Sequence, residues 1–79
     1  MKIKNLEHAI ELFKEISMIH IDSQYDGNWK LVNKTYKQLD VINKYLKLNK
    51  AFSALLPFLN DQDDRLKFSA AVELLKTEY

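Results

Sequence analysis

The run Ala54-Leu55-Leu56-Pro57-Phe58-Leu59, the polar group Asn60-Asp61-Gln62-Asp63-Asp64 and the segment Leu66-Lys67-Phe68-Ser69-Ala70-Ala71-Val72-Glu73-Leu74-Leu75 constrain the fold most. Apolar residues recur at three- and four-residue spacing on both sides of the acidic break, which is the helical period and not the alternation of a strand. The stretch predicts two short helices joined by an acidic turn. Pro57 lies inside the first of them, where it removes a backbone donor and crowds the preceding turn, so that helix must kink or restart. Asp63 or Asp64 opens the second, because a carboxylate there accepts from free amides and complements the positive end of the helix dipole. Lys67 falls within the apolar sector, and its ammonium is expected to turn back to Asp61 or Asp63.

Composition carries the helical reading over the rest of the chain. One glycine and one proline leave too few turn signals for an all-β fold. Seventy-nine residues make one helical domain, 1–79, and a chain of this size buries only roughly 60% of its unfolded surface. Without cysteine there is neither a disulfide nor a thiolate metal site, which suits a reducing compartment such as the cytoplasm. Twelve Lys and Arg against eleven Asp and Glu give a net charge of +1, so there is no global attraction to nucleic acid or to an anionic membrane. No apolar run approaches the roughly 18 residues of a membrane span, and no signal peptide or linker is expected.

Taken in order, the first helix is expected over about Asn5 to Ile21, with Asn5 as N-cap. Leu6, Ala9, Ile10, Leu12, Phe13, Ile16, Ile19 and His20 share one arc, and Glu7, Glu11 and Glu15 form an acidic ridge on the other side. His20 reads as a core-edge histidine hydrogen-bonded to backbone, since no carboxylate or second histidine stands at i+3 or i+4 to make it a ligand. Asp22 to Asn28 is polar, holds the glycine, and reads as a loop. A second helix from about Asn28 to Leu48 places Leu31, Val32, Tyr36, Leu39, Ile42 and Leu46 on one face. Lys30, Lys34, Lys37 and Lys44 lie opposite, with Val41 in their midst and Trp29 and Tyr45 at their edges. Asn49 is a candidate cap for the third helix, which carries Phe52, Leu55, Leu56 and Leu59.

Few residues offer chemistry. Asp61, Asp63 and Asp64 form the one acidic cluster, but a calcium loop needs glycine at its sixth position and Glu at its twelfth, where Leu66 and Val72 stand. Capping, with Lys67 as the paired cation, is the simpler reading. No phosphate loop, dinucleotide fingerprint, nucleophile elbow or zinc pattern occurs, and Ser17, Ser23, Ser53 and Ser69 have no histidine at a useful local spacing. The expectation is no enzyme, no cofactor and no metal.

Leu55 to Leu59, the turn Asp61 to Asp64, and Leu66 to Leu75 with its Ala70-Ala71 pair resemble a HEAT-type helical hairpin, here at 50–77. The family's basic position in the second helix is usually Arg and is Lys67 here. Asn33-Lys34-Thr35-Tyr36 and Tyr45-Leu46-Lys47, taken with that hairpin, resemble the domain-of-unknown-function 2019 family of small bacterial helical proteins over roughly Ile10 to Leu75. The resemblance implies an all-α, right-handed, HEAT-like solenoid of four helices in two antiparallel hairpins, with helices two and four innermost. It implies no activity.

A fold of this kind without catalytic residues points to a protein-binding module. Its most concrete form is a bacterial immunity protein that neutralises a cognate toxin through Glu7, Glu11 and Glu15 or through Lys30, Lys34, Lys37, Val41, Lys44 and Tyr45. Two alternatives stand beside it. The lysine stripe could track phosphates as a nucleic-acid footprint, although specific binders concentrate Arg, of which there is one. The chain could equally be a structural subunit or homodimer.

Overall fold

The computed structural model describes residues 2–76. Within them lie three α-helices, α1 (Leu6–Asp26), α2 (Trp29–Leu48) and α3 (Asp64–Lys76), and one 3₁₀ helix, Phe52–Asn60. The fold is all-α. Residue 77, the end of the hairpin expected over 50–77, and the side chain of Phe52 lie outside the described residues.

Asn5 caps α1 as expected, its Oδ1 accepting from the His8 amide at 2.8 Å. The helix does not stop at Ile21. It continues through the polar stretch, because Ser23 is buried and donates its hydroxyl to the Ile19 carbonyl at 2.6 Å, while Gln24, Tyr25 and Asp26 are exposed. The end comes at Gly27, in the left-handed region at φ 68°. Its amide donates to Gln24 O at 3.3 Å and the Asn28 amide to Ser23 O at 3.0 Å, the pair of bonds of a Schellman motif.

Asn28 caps α2 by accepting from the Leu31 amide at 3.2 Å. At the other end the same motif recurs without glycine: Lys50, at φ 52°, donates to Lys47 O at 3.1 Å and Ala51 to Leu46 O at 2.8 Å. Asn49 belongs to this terminus, its amide donating to Tyr45 O at 2.8 Å, and does not open the next helix as expected. That next segment winds as a 3₁₀ helix throughout. Pro57 removes a donor near its middle, and nine residues leave too little chain on either side for two α-helical pieces.

The acidic turn caps α3, but the cation that holds it is Arg65 and not Lys67. Asp63 accepts the Leu66 and Lys67 amides on its carbonyl, both at 3.1 Å, and the Arg65 amide on Oδ1 at 3.0 Å. Asp61 Oδ1 accepts from the Asp63 amide at 2.9 Å. The Arg65 fork then takes both Asp63 oxygens, Nε to Oδ1 at 2.9 Å and Nη2 to Oδ2 at 2.6 Å. Lys67 is exposed and its Nζ stands 3.6 Å from Asp64 Oδ1. A planar five-donor fork spans a carboxylate that a single ammonium meets at one point. These bonds, the side-chain bond from Arg65 first, hold the Asp63 pKa down at about 2.

The buried positions of α2 are Val32, Thr35, Leu39, Ile42 and Leu46, alternating three and four apart as in a coiled-coil seam. Ala9, Phe13 and Ile16 begin the matching seam on α1. Thr35 therefore takes the place expected for Tyr36, which is turned outward. Its hydroxyl can be buried because it bonds to its own helix, lying 2.9 Å from Leu31 O and 3.1 Å from Val32 O. Phe13, fully buried, stacks on Phe58 of the 3₁₀ helix with ring centroids 5.9 Å apart.

Helix α1 packs on both α2 and α3, the 3₁₀ helix packs on α3 and touches α2, and α2 and α3 make little direct contact. Each of the four elements thus has two principal neighbours. These contacts single out no innermost pair, where helices two and four were expected; α1 carries the small buried residues Ala9 and Ser17 at its packed face. On α3 the buried residues are Leu66, Ser69, Ala70 and Leu74, while Phe68 and Leu75 face outward.

Candidate functional site

A cleft of about 310 Å³ lies between α2 and α3, which make little direct contact, and is lined from below by α1. The floor supplies Phe13, His20 and Gln24. The α2 wall supplies Tyr36, Asp40 and Asn43, which share a face at four- and three-residue spacing. The α3 wall supplies Phe68, Ser69 and Glu73. Tyr36 and Phe68 are each 61% exposed, so two aromatic rings stand at the mouth from opposite walls. Phe68 also borders a neighbouring hollow of about 480 Å³ beside Tyr25 and Arg65.

His20 is positioned across the α1–α2 seam, its Nδ1 lying 2.8 Å from Thr35 Oγ1. The Thr35 oxygen also lies within hydrogen-bond distance of the Leu31 and Val32 carbonyls, and the imidazole tautomer sets which partner donates in the Nδ1–Oγ1 bond. Burial lowers the His20 pKa below its usual 6.5, and the Val32 carbonyl partly offsets this. The ring is mainly neutral at pH 7. Its expected bond to backbone is joined by one to a side chain that periodicity had left off the core face.

Asn43 is half-buried, and its Oδ1 is inaccessible to solvent and without a hydrogen-bond partner. Asp40 is tied to Lys44 at 3.0 Å. Ser69 and His20 border one cleft, yet no hydrogen bond joins them. A histidine acting as a base for serine presents its other nitrogen to a carboxylate, and here that nitrogen meets Thr35. Among the described residues no three His, Cys, Asp or Glu side chains are grouped to hold a metal ion, and no helix is long and apolar enough to cross a membrane.

The residues singled out by sequence are not brought together in this cleft. Glu7, Glu11 and Glu15 lie exposed along α1, and Lys30, Lys34 and Lys37 lie exposed along α2 with Val41. Lys44 is the member of that stripe engaged by a carboxylate. Tyr45 is half-buried and packs against the core, so its ring is not a free stacking surface, whereas Trp29 is exposed. Sequence reasoning passed over Asp40, Asn43 and Gln24 because they belong to neither the apolar nor the charged face. The signal that could have found them is the Tyr36, Asp40, Asn43 spacing on a flank of α2.

No protein-family model, no curated protein and no solved structure matches this chain. The functional reading therefore draws on the geometry alone.

Proposed function

We propose that the protein is a non-catalytic protein-binding module whose contact surface is the cleft between α2 and α3. The observation that carries this reading is the pair of exposed rings, Tyr36 and Phe68, facing a common concavity from opposite walls. Large aromatics left in water around a concave, partly polar site are the composition of an interface centre and not of a solvated face. The most concrete form remains a small bacterial immunity protein that occupies a cognate toxin in the cytoplasm. The contact surface proposed for it moves from the ridge and stripe to the cleft.

Placing a photo-reactive phenylalanine analogue at Tyr36, Phe68, Glu11 or Lys34 in the native cell tests the reading. The expected outcome is one protein adduct formed from Tyr36 and Phe68, absent from Glu11 and Lys34, and reproduced with the purified partner. Adducts confined to Glu11 and Lys34, or none at all, overturn it.

A second reading has its own support. Leu75 is 81% exposed and borders an apolar hollow of about 330 Å³ with Leu56, Leu59 and Ala71, a surface suited to a second copy of the chain. Light scattering on the purified protein decides it by mass, with a monomer across the micromolar range counting against the dimer.

A further inference from the structure

We propose that the first two turns of α2 form a second surface, separate from the cleft, that binds single-stranded nucleic acid through its phosphates and one stacked base.

The two long helices divide the charge of the molecule between them. Helix α1 carries five acids and one lysine, and its neighbour α2 carries five lysines and one acid. Among the described residues no salt bridge joins the two. A net charge of +1 therefore conceals a local cationic field along α2.

Lys30, Lys34 and Lys37 make up its first part. They are exposed, recur at four- and three-residue spacing along one row, and have no carboxylate partner among the described residues. No acid occurs from Gly27 to Leu39, and Asp40, the next along, is held by Lys44. The row is roughly 10 Å long at 1.5 Å per residue, the rise of about three nucleotides at 3.4 Å each. Beside it stand Trp29 and Asn33, one turn apart and both exposed, Trp29 at 65%. A large ring left in water next to a row of cations is the combination that holds a strand with unpaired bases: ammoniums meet phosphates, and the indole takes a base face.

The surrounding residues select against other polyanions. A protein–protein contact draws its stability from a desolvated apolar centre and is poor in lysine, and the exposed residues from Lys30 to Lys37 include no aliphatic one. A duplex hides the base faces on which Trp29 would stack. Reading guanine edges calls for a bidentate arginine, and the chain's one arginine, Arg65, is held by Asp63 and Asp22. Lysines act on phosphate as point charges, so the surface tolerates any sequence.

Trp29 is the chain's one tryptophan, and its fluorescence reads the stacked base directly. Titration of the full chain with an oligothymidylate of about 20 nucleotides should quench it, with Kd roughly 10–100 µM at about 50 mM salt and a log–log salt slope of about −2, the value for three phosphates on a single strand. The Lys30→Gln, Lys34→Gln, Lys37→Gln variant should bind roughly tenfold or more weakly. Trp29→Ala, followed by the anisotropy of a labelled strand, should lose roughly tenfold. Circular dichroism checks that both variants, altered at exposed positions alone, keep their helix content. Glu7→Gln, Glu11→Gln, Glu15→Gln should bind at least as well as the native chain. No saturable quenching at low salt, equal affinity for polyglutamate or for duplex DNA of the same length, or undiminished binding by the lysine variant or by Trp29→Ala each overturn the inference.

Discussion

Arg65 Nη1 lies 2.6 Å from Asp22 Oδ2, although 43 residues separate the two in sequence. The same guanidinium grips Asp63 with its other nitrogens, so one side chain ties the last turns of α1 to the first turn of α3. The bond also answers a local difficulty. Asp22 and Asp26 stand near the negative end of the α1 dipole with no basic residue in that last turn, and a cation brought from elsewhere offsets this repulsion.

The consequence is an ordering of variants. Asp63→Ala should lower the urea midpoint most, since it removes the α3 cap together with the ion pair. Arg65→Lys should act nearly as strongly as Arg65→Ala, because an ammonium cannot span Asp63 and reach Asp22 at once. Asp22→Ala should cost least. A Lys67→Ala loss as large as that of Arg65→Ala would return the turn to the sequence-based assignment.

The two Schellman ends make a matched pair. Gly27→Ala should destabilise by about 1 kcal/mol from the left-handed backbone alone, as no atom lies within 4 Å of an added Cβ. Lys50→Gly should do the reverse, stabilising by roughly 0.5–1 kcal/mol, since Lys50 is exposed and already held at φ 52°. Denaturant midpoints moving in opposite directions would confirm the symmetry, and a loss in both would refute it.

Phe13→Ala should cost roughly 3–5 kcal/mol, because Phe13 is fully buried and stacked on Phe58. A domain this small has little more than that in hand, so the variant should populate unfolded chain at 25 °C by circular dichroism. Phe13→Leu keeps most of the volume and should leave a measurable, lower midpoint. An unchanged midpoint for Phe13→Leu would argue that the 3₁₀ helix is not anchored there.

Sequence foretold the helical class, the Asn5 and Asn28 termini and the acidic cap because each follows from local chemistry. It failed where a tertiary partner decides. The polar residues 22–26 resemble a loop until Ser23 is seen to bond its own helix and Asp22 to meet Arg65. Thr35 looked polar and Tyr36 apolar, yet the three-four seam takes Thr35, whose hydroxyl satisfies itself on backbone. The cleft could not be read at all, since it depends on α1 touching both α2 and α3 while those two make little contact, and no periodicity within one helix reports how two others meet.

His20 gives the pH dependence its sign. Burial sets its folded pKa below the unfolded 6.5, so on acidification the unfolded chain takes the proton first, and its contribution to stability is lost as pH falls from about 6.5 through the folded value. The acids lining the same cleft are Asp40 and Glu73; a bound proton on His20 would be partly compensated by them, which keeps the effect small. Urea midpoints at pH 7.5 and 5.5 should drop for the native chain and drop less for His20→Gln. Asp63 contributes in a separate window, lost only as pH falls from 3.8 toward about 2.

Ser17 is fully buried, and its Oγ has no hydrogen-bond partner, in contrast to Ser23 and Thr35, which bond back to their own helices. An unpaired buried hydroxyl costs roughly 1–3 kcal/mol, while the space it fills is close to that of a methyl group. Ser17→Ala should therefore raise the midpoint, where Ser23→Ala and Thr35→Ala should lower it. Ser17 lies one turn from His20 on the buried face of α1. A loss of stability in Ser17→Ala would mean that the hydroxyl binds a buried water.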